Sequence, residues 1–257
     1  MTEFNNSIPP KVQELINHYQ NLNIAGKTVN TPYYRNVKRV RAGLRSLTGK
    51  GTPEEIEEET LIYSKLRGVS LEDKNESQIR EFMQSQGIGV DCSGLVAHIY
   101  DIWLKSTKKG SLRTKLIRPK ESAYRRFISW LRPIEGAGAN LLTSSLNCKS
   151  VKIQDVRVGD MIRMKGSRIG HHVALVIDVK NESNKVKEIT YINSHAGYGD
   201  QNGIRIGKIG IKNETNELKD QDWQDKDADG KCWIMENLLK EYEDNGLRRP
   251  KFLQVQE

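Results

Sequence analysis

Cys92 is the residue whose surroundings are best suited to covalent chemistry. It follows Asp91 and precedes Ser93 and Gly94, at the predicted start of an apolar helix. Unpaired amides and the positive end of the helix dipole favour a thiolate there, so we expect a lowered pKa for Cys92. The backbone N–H groups around Ser93 are suited to stabilise an oxyanion. This segment therefore predicts a nucleophilic cysteine.

Two histidines further along the chain supply a base and a group that orients it. His172 shares one face of the predicted strand HHVALVIDV with Ala174, whereas His171 lies on the other face. The small side chain of Ala174 leaves room beside His172 for an approaching helix. His195 ends the next predicted strand, so pairing of the two strands brings it close to His172. Cys92 as nucleophile, His172 as base and His195 as orienting group form a triad of the cysteine type.

Residues 225–236 carry a second pattern, in which carboxylates alternate along a turn. They fit the calcium-loop motif D-x-[DN]-x-[DN]-G-x5-E, with its ligand positions at Asp225, Asp227, Asp229 and Glu236. Cys232 stands where such loops have a branched aliphatic residue, and aspartates also gather in ordinary turns. Calcium binding and an acidic surface loop are both open interpretations, and the catalytic chemistry itself requires no cofactor.

Four motifs give the chain a resemblance to a known family. DCSGLV, VRVGDMIRM, HHVALVIDV and SHAGYGDQNGIRI follow in the order found in NlpC-type papain-like cysteine peptidases, over about residues 87–211 and a final strand near 250–255. The resemblance implies a papain-like NlpC-type core, in which the helix carrying the cysteine packs on an antiparallel sheet carrying the histidines. It implies Cys92 as nucleophile, His172 as base and His195 as the polar third member. His172 matches the His-Val pair of the family better than its neighbour does.

The chain departs from this family before the cysteine. Family members usually have a Pro-Tyr pair shortly upstream, and the tyrosine helps to build the oxyanion site. Here the nearest likeness is Pro32-Tyr33-Tyr34, so we interpret residues 52–86 as an insertion that follows it. Tyr33 then returns to the site, with Tyr34 as the alternative. A structural role for both tyrosines is equally compatible with the sequence.

The hydrophobic pattern changes along the chain from a helical period to a strand period and predicts an α+β fold. We expect residues 1–86 to form an N-terminal helical region packed on the core, and residues 87–257 to form the peptidase domain. The N-terminal helices are predicted to start at Pro10, to cover 37–47, to start at a capping box of Thr52 and Glu55, and to cover 76–86. Strands are predicted near Met161 and in HHVALVIDV, EITYINSH and GIRIGKIGI.

Basic residues are concentrated in one part of the chain. The 257 residues include 41 Lys and Arg against 33 Asp and Glu, for a net charge of +8. Lys105–Arg132 contains ten of these basic residues and one acid, within a helical insertion predicted at about 105–150. Such a segment suits an anionic partner (nucleic acid, an anionic glycopolymer or a lipid surface), or forms a solvated helical face. Tyr124, Phe127 and Trp130 suit the buried stripe of a helix.

The composition and the first residues of the sequence indicate in which cellular compartment we expect the protein. No apolar run is long enough to span a membrane. The first residues lack the basic and apolar regions of a secretory signal, and three cysteines do not make a disulfide framework. We therefore expect a reduced, cytoplasmic protein, with release by lysis or non-classical export as alternatives.

The expected activity is amide hydrolysis through a thioester. The family resemblance implies peptidoglycan stem peptides or related isopeptides as substrates, and a protein isopeptide or an acyl group is a second enzymatic interpretation. The non-enzymatic alternative is a catalytically inactive peptidase-fold protein whose basic insertion binds a polyanion such as nucleic acid.

Overall fold

The computed structural model describes residues 7–36, 44–119, 123–166, 170–227, 229–236 and 244–253. Within these ranges the predicted α+β class is confirmed, with seven α-helices, a sheet of seven antiparallel strands and a separate two-stranded hairpin. The helices are α1 (Pro10–Gln20), α2 (Pro53–Leu66), α3 (Glu76–Gln86), α4 (Cys92–Ser106), α5 (Leu112–Lys115), α6 (Ala123–Leu131) and α7 (Ala139–Leu142). The strands are β1 (Leu22–Ile24), β2 (Lys27–Val29), β3 (Cys148–Val151), β4 (Met161–Gly166), β5 (Gly170–Glu182), β6 (Lys185–His195), β7 (Gly203–Gly210), β8 (Asp222–Trp223) and β9 (Gly246–Pro250). None of the helices in this described part of the chain is long and apolar enough to cross a lipid bilayer.

The predicted helix starts and ends are confirmed where local signals are strong. α2 begins with the predicted capping box, because Thr52 Oγ1 accepts a hydrogen bond from the Glu55 N–H and the Glu55 carboxylate accepts one from the Thr52 N–H. α3 has the predicted bounds and ends at Gly87, whose φ of 80° suits a glycine C-cap.

The prediction of an entirely helical N-terminal region is wrong. β1 and β2 form a hairpin between α1 and α2, with Ala25 and Gly26 both at positive φ in its two-residue turn. Of the helix predicted over 37–47, residues 37–43 lie outside the described residues, and Ser46–Thr48 forms one 3-10 turn. Ala25 is the reason that the hairpin was missed, since alanine gives little turn signal.

The large sheet has the strand order β3-β9-β4-β5-β6-β7-β8. The strands predicted near Met161 and in the three motifs are confirmed as β4, β5, β6 and β7. The predicted helical insertion contains α5, α6 and α7 but ends in β3, which pairs with β9. The final strand was predicted too late in the chain: β9 ends at Pro250, and Lys251–Leu253 forms a 3-10 turn. Pro250 is the last residue of β9 and pairs with Cys148 of β3.

α4 packs on the sheet face that carries Val173, Leu175 and Ile192. Val12 and Ile16 of α1 belong to the same core, so the N-terminal region and the cysteine helix bury their apolar side chains together. The predicted room for a helix beside Ala174 is wrong. Ala174 belongs to a second core cluster on the opposite face, because successive residues of a strand point to opposite sides.

β5 and β6 separate at the end where the histidines lie. β5 pairs with β4 as far as Gly166↔Gly170, whereas its pairing with β6 runs from Leu175↔Ile192 to Glu182↔Lys185. The start of α4 contacts both strands at this opening. Ser194 Oγ on β6 donates a 2.7 Å hydrogen bond to the Val90 carbonyl, and the Val173 N–H on β5 is directed at the Cys92 thiol. The opening therefore brings the helix start to the two histidine strands.

Candidate active site

Cys92, His172 and His195 come from three separate elements and line one cavity of about 680 Å³. Ser93 and Tyr33, the two residues predicted to support an oxyanion, line it as well. The other lining residues are Tyr34, Arg35, Asp91, Gly138, Ala139, Asn140, His171, Ala196 and Trp233. All five residues predicted for the catalytic site thus face one space that is large enough for part of a peptide.

A dense set of hydrogen bonds fixes the start of α4. Asp91 is its N-cap, and Asp91 Oδ1 accepts from the Gly94 N–H at 2.6 Å and from Ser93 Oγ at 2.9 Å. A Cβ at position 94 would collide with the carbonyl oxygen of Gly49, so this position requires glycine. Cys92 is therefore held at the helix N-terminus by its neighbours on both sides.

Lys50 is a buried cation at this helix start that the sequence did not single out. It is 6% exposed, and its Nζ donates to Asp91 Oδ1 at 2.8 Å and also to Ser93 Oγ. Its backbone forms an isolated antiparallel bridge with Val90, which fixes the lysine next to the segment that leads into α4. Lys50 lies far from Cys92 along the chain, and no local pattern marks it.

The expected low pKa of Cys92 is wrong for this conformation. Burial raises the pKa of the thiol to about 12, and the negative charge of Asp91 acts in the same direction. The Val173 N–H, the Lys50 ammonium and the Ser93 N–H favour the thiolate, and burial outweighs them. The sequence pattern indicates the helix terminus, but it does not indicate the desolvation that opposes a charge there.

His172 is a buried, neutral imidazole. Burial lowers its pKa to about 4, and Asn193 and Asp91 oppose this shift only in part. At neutral pH the cavity is therefore lined by a protonated thiol and an uncharged base. Its net charge is the same as that of a thiolate–imidazolium pair, but the proton is still on the sulfur.

Asn193 is a second residue of the site that the sequence did not single out. It is fully buried on β6 and close enough to His172 to favour its charged form. His172 Nε2 and both polar atoms of the Asn193 amide nevertheless do not reach hydrogen-bonding geometry with any described residue. Buried polar atoms usually have partners, so this pair stands out. Asn193 Oδ1 is therefore the candidate acceptor for His172 Nε2.

His195 contacts His172 through its ring. The two ring centroids are 5.2 Å apart and the planes are almost perpendicular. His195 Nδ1 accepts a 2.8 Å hydrogen bond from the Gly197 N–H, so the neutral ring carries its proton on Nε2. Trp233 packs against it with centroids 3.8 Å apart, and burial lowers the pKa of His195 to about 2. His195 is thus fixed in place and uncharged.

The tyrosines lie on the Cys92 side of the cavity. Tyr33 forms a parallel bridge with Val90, which carries it to the helix start. Burial raises the pKa of its hydroxyl, and the charges of Cys92 and Asp91 act in the same direction, so the hydroxyl stays protonated near the thiol. Tyr34 fills the space above Gly87 and lines the same cavity.

The structure does not bring the predicted calcium ligands together. Asp225 is buried, and its Oδ1 accepts from Arg205 Nε at 3.0 Å and Nη2 at 2.9 Å. Asp227 Oδ1 accepts from the N–H groups of Asp229 and Lys231 within its own turn. Across the ranges that the structure describes, no three Asp, Glu, His or Cys residues form a group that could hold a metal ion. In this conformation the carboxylates do not fit a calcium site.

The same segment has a different connection to the cavity. Glu236 lies in the short helical turn that starts at Trp233, where its N–H donates to the Cys232 carbonyl at 3.1 Å. Trp233 is the residue of this turn that contacts His195 and lines the cavity. Segment 225–236 therefore contributes an aromatic wall to the site.

Comparison with known proteins assigns no family to this chain: no protein-family model matches it, and no curated protein sequence matches it.

Proposed function

We propose that this protein is a cysteine hydrolase with a papain-like NlpC-type core that cleaves amide bonds. The observation that supports this most strongly is that Cys92, His172 and His195 line one cavity from three separate elements. The sequence resemblance adds the substrate class, which is peptidoglycan stem peptides or related isopeptides. The cytoplasmic location expected from the sequence stays a prediction.

In the proposed first half-reaction, Cys92 Sγ attacks the carbonyl carbon of the amide while its proton passes to His172. A C–S bond forms, and the carbonyl electrons move to oxygen. When the tetrahedral intermediate collapses, the C–N bond breaks and the amine leaves with the proton from His172. The product left on the protein is a thioester at Cys92.

In the second half-reaction, His172 takes a proton from water as the water oxygen attacks the thioester carbon. Collapse breaks the C–S bond, returns the proton to Cys92 Sγ and releases a carboxylic acid. The Tyr33 hydroxyl and the N–H groups at the start of α4 are the donors available to the oxyanion.

The burial of Cys92 and His172 determines when the proton passes from the thiol to the imidazole. Because desolvation opposes both a free thiolate and a free imidazolium, the proton moves as the bond to carbon forms, as in a serine triad, rather than before substrate binds. The Val173 N–H and the Lys50 ammonium favour the negative sulfur during this step.

Two residues are candidates to orient His172. His195 is the one that the sequence predicts, and its ring packs edge-on against the base. Asn193 is the second candidate, because its amide and His172 Nε2 are buried without hydrogen-bond partners among the described residues. If the amide oxygen accepts from His172 Nε2, the other ring nitrogen, Nδ1, is left to exchange a proton with the thiol. We assign the orienting hydrogen bond to Asn193 and the packing support to His195.

Digestion of purified muropeptides, read by mass spectrometry, tests the proposal. We expect cleavage by the wild type and by Cys148→Ala, and none by Cys92→Ala. Cys148 is the matched control because it is also a buried thiol, with its Sγ 3.0 Å from the Leu142 carbonyl. Cleavage retained by Cys92→Ala would remove the nucleophile from the mechanism. A wild type that cleaves no muropeptide would exclude this substrate class.

The inactive binding protein is the second candidate, and the raised pKa of Cys92 favours it. In that case the scaffold keeps its three residues as core packing, and the Lys105–Arg132 segment binds a polyanion. Single-stranded DNA binding that weakens steeply with salt, together with no hydrolysis of any amide tested, would support this alternative over catalysis.

A further inference from the structure

α6 exposes a concentration of large hydrophobic side chains. Among the residues that the structure describes, eleven large hydrophobic side chains are exposed, and four of them lie on this nine-residue helix: Phe127, Ile128, Trp130 and Leu131. The sequence predicts a buried helix stripe of Tyr124, Phe127 and Trp130. This is wrong for Phe127 and Trp130, whose exposed fractions are 56% and 53%, and the side chain of Tyr124 lies outside the described part of the chain.

The exposed side chains form an organised surface. The rings of Phe127 and Trp130 are 6.3 Å apart and nearly parallel, and Arg113 of α5 lies over the Trp130 ring at 4.8 Å. Cation–π contact holds the guanidinium next to the apolar side chains. These residues belong to the sequence segment Lys105–Arg132, which contains ten basic residues and one acid. The apolar surface therefore has the Arg113 guanidinium beside it and lies in the most basic part of the sequence.

We propose that α6 docks on the surface of an anionic lipid bilayer, with its apolar side chains among the acyl chains and its basic neighbours at the headgroups. Interfacial helices combine these two features. A second copy of the chain fits poorly, since two surfaces of the same high charge repel. Nucleic acid would stack on Phe127 and Trp130 but would leave the aliphatic Ile128 and Leu131 in water.

The position of α6 links this surface to the cavity. A short connection joins it to Gly138, Ala139 and Asn140, which line the Cys92 cavity. Arg118 stabilises this connection by donating hydrogen bonds to the carbonyls of Pro133 at 3.0 Å and Gly136 at 3.1 Å. Docking of α6 thus brings one wall of the cavity to the lipid surface, whatever reaction the cavity carries out.

Vesicle sedimentation tests the proposal with the full chain. We use vesicles of phosphatidylcholine alone and vesicles of equal parts phosphatidylcholine and phosphatidylserine. We expect the wild type to bind the anionic vesicles. The double variant Phe127→Ala with Trp130→Ala should bind them about tenfold or more weakly, because the burial of two large apolar groups is lost. Leu66→Ala is the matched control, because Leu66 is 72% exposed and belongs to α2, outside the basic segment of the sequence. Subtracting the fluorescence spectrum of Trp130→Phe from that of the wild type isolates the emission of Trp130. This emission should shift to the blue when the protein binds the anionic vesicles.

Several outcomes would overturn the proposal. The first is absence of binding to anionic vesicles at low salt by a protein whose thermal melt shows that it is folded. The second is binding that the double variant leaves unchanged, which would indicate charge attraction alone. The third is single-stranded DNA binding that depends on Trp130 as strongly as vesicle binding does. The fourth is a dimer that Trp130→Ala dissociates.

Discussion

Replacing His172 with glutamine tests whether the base of the site is buried and neutral. The pKa of His172 falls from 6.5 to about 4 on folding, because burial penalises the charged ring. As pH drops from about 6.5 to about 4, the unfolded chain takes up a proton at this position and the folded chain does not. Folding stability from this group is therefore fully present above pH 6.5 and is lost progressively down to pH 4.

The magnitude follows from the two pKa values. A tenfold change in proton affinity corresponds to about 1.4 kcal/mol, so the wild type should lose about 3 kcal/mol of unfolding free energy through His172 over this range. His172→Gln should not lose that part, whereas His195 contributes to both proteins. Urea denaturation at a series of pH values measures the difference. Equal slopes of unfolding free energy against pH in both proteins would refute a neutral, buried His172.

Three further predictions concern the neighbours of Cys92 and His172. Lys50→Met should lower the free energy of unfolding by about 2 kcal/mol, because Asp91 loses its ion-pair partner. The same change should slow alkylation of Cys92, because the ammonium that favours the thiolate is lost. Lys50→Arg should restore part of both, and unchanged alkylation would contradict this. Asn193→Leu should reduce kcat by about tenfold or more, because the proposed hydrogen bond that orients His172 during the reaction cannot form. The free energy of unfolding should change by no more than about 1 kcal/mol, because in this conformation the buried amide makes no hydrogen bond with a described residue. An unaltered kcat would return the orienting role to His195. Tyr33→Phe should reduce kcat about a hundredfold if its hydroxyl binds the oxyanion, with Tyr34→Phe as the control, and full turnover by both variants would dismiss the idea.

Local patterns predicted much of the fold. The capping box at Thr52 and the glycine after Gln86 define helix ends within a few residues, and alternation in HHVALVIDV defines β5. The N-terminal hairpin was missed because its turn is Ala25-Gly26. Strong turn signals come from Asn-Gly or Asp-Gly, so this one was too weak to compete with the surrounding helical periodicity.

The site could be predicted only as far as its residues have local signatures. Cys92 is marked by the helix start and His172 by its strand. Lys50 and Asn193 reach the thiol and the imidazole through tertiary packing, and nothing adjacent to either one in the chain indicates it. The raised pKa of Cys92 has the same origin, since desolvation depends on what covers the residue after folding.

The central claim is that Cys92 forms a covalent thioester. Wild-type protein and a muropeptide should be mixed, quenched with acid after a short interval and analysed by intact mass and peptide mapping. We predict a mass increase equal to the acyl part of the substrate on the peptide that carries Cys92, absent from Cys92→Ala and present in Cys148→Ala. An adduct on another residue, or turnover by Cys92→Ala, would contradict the account.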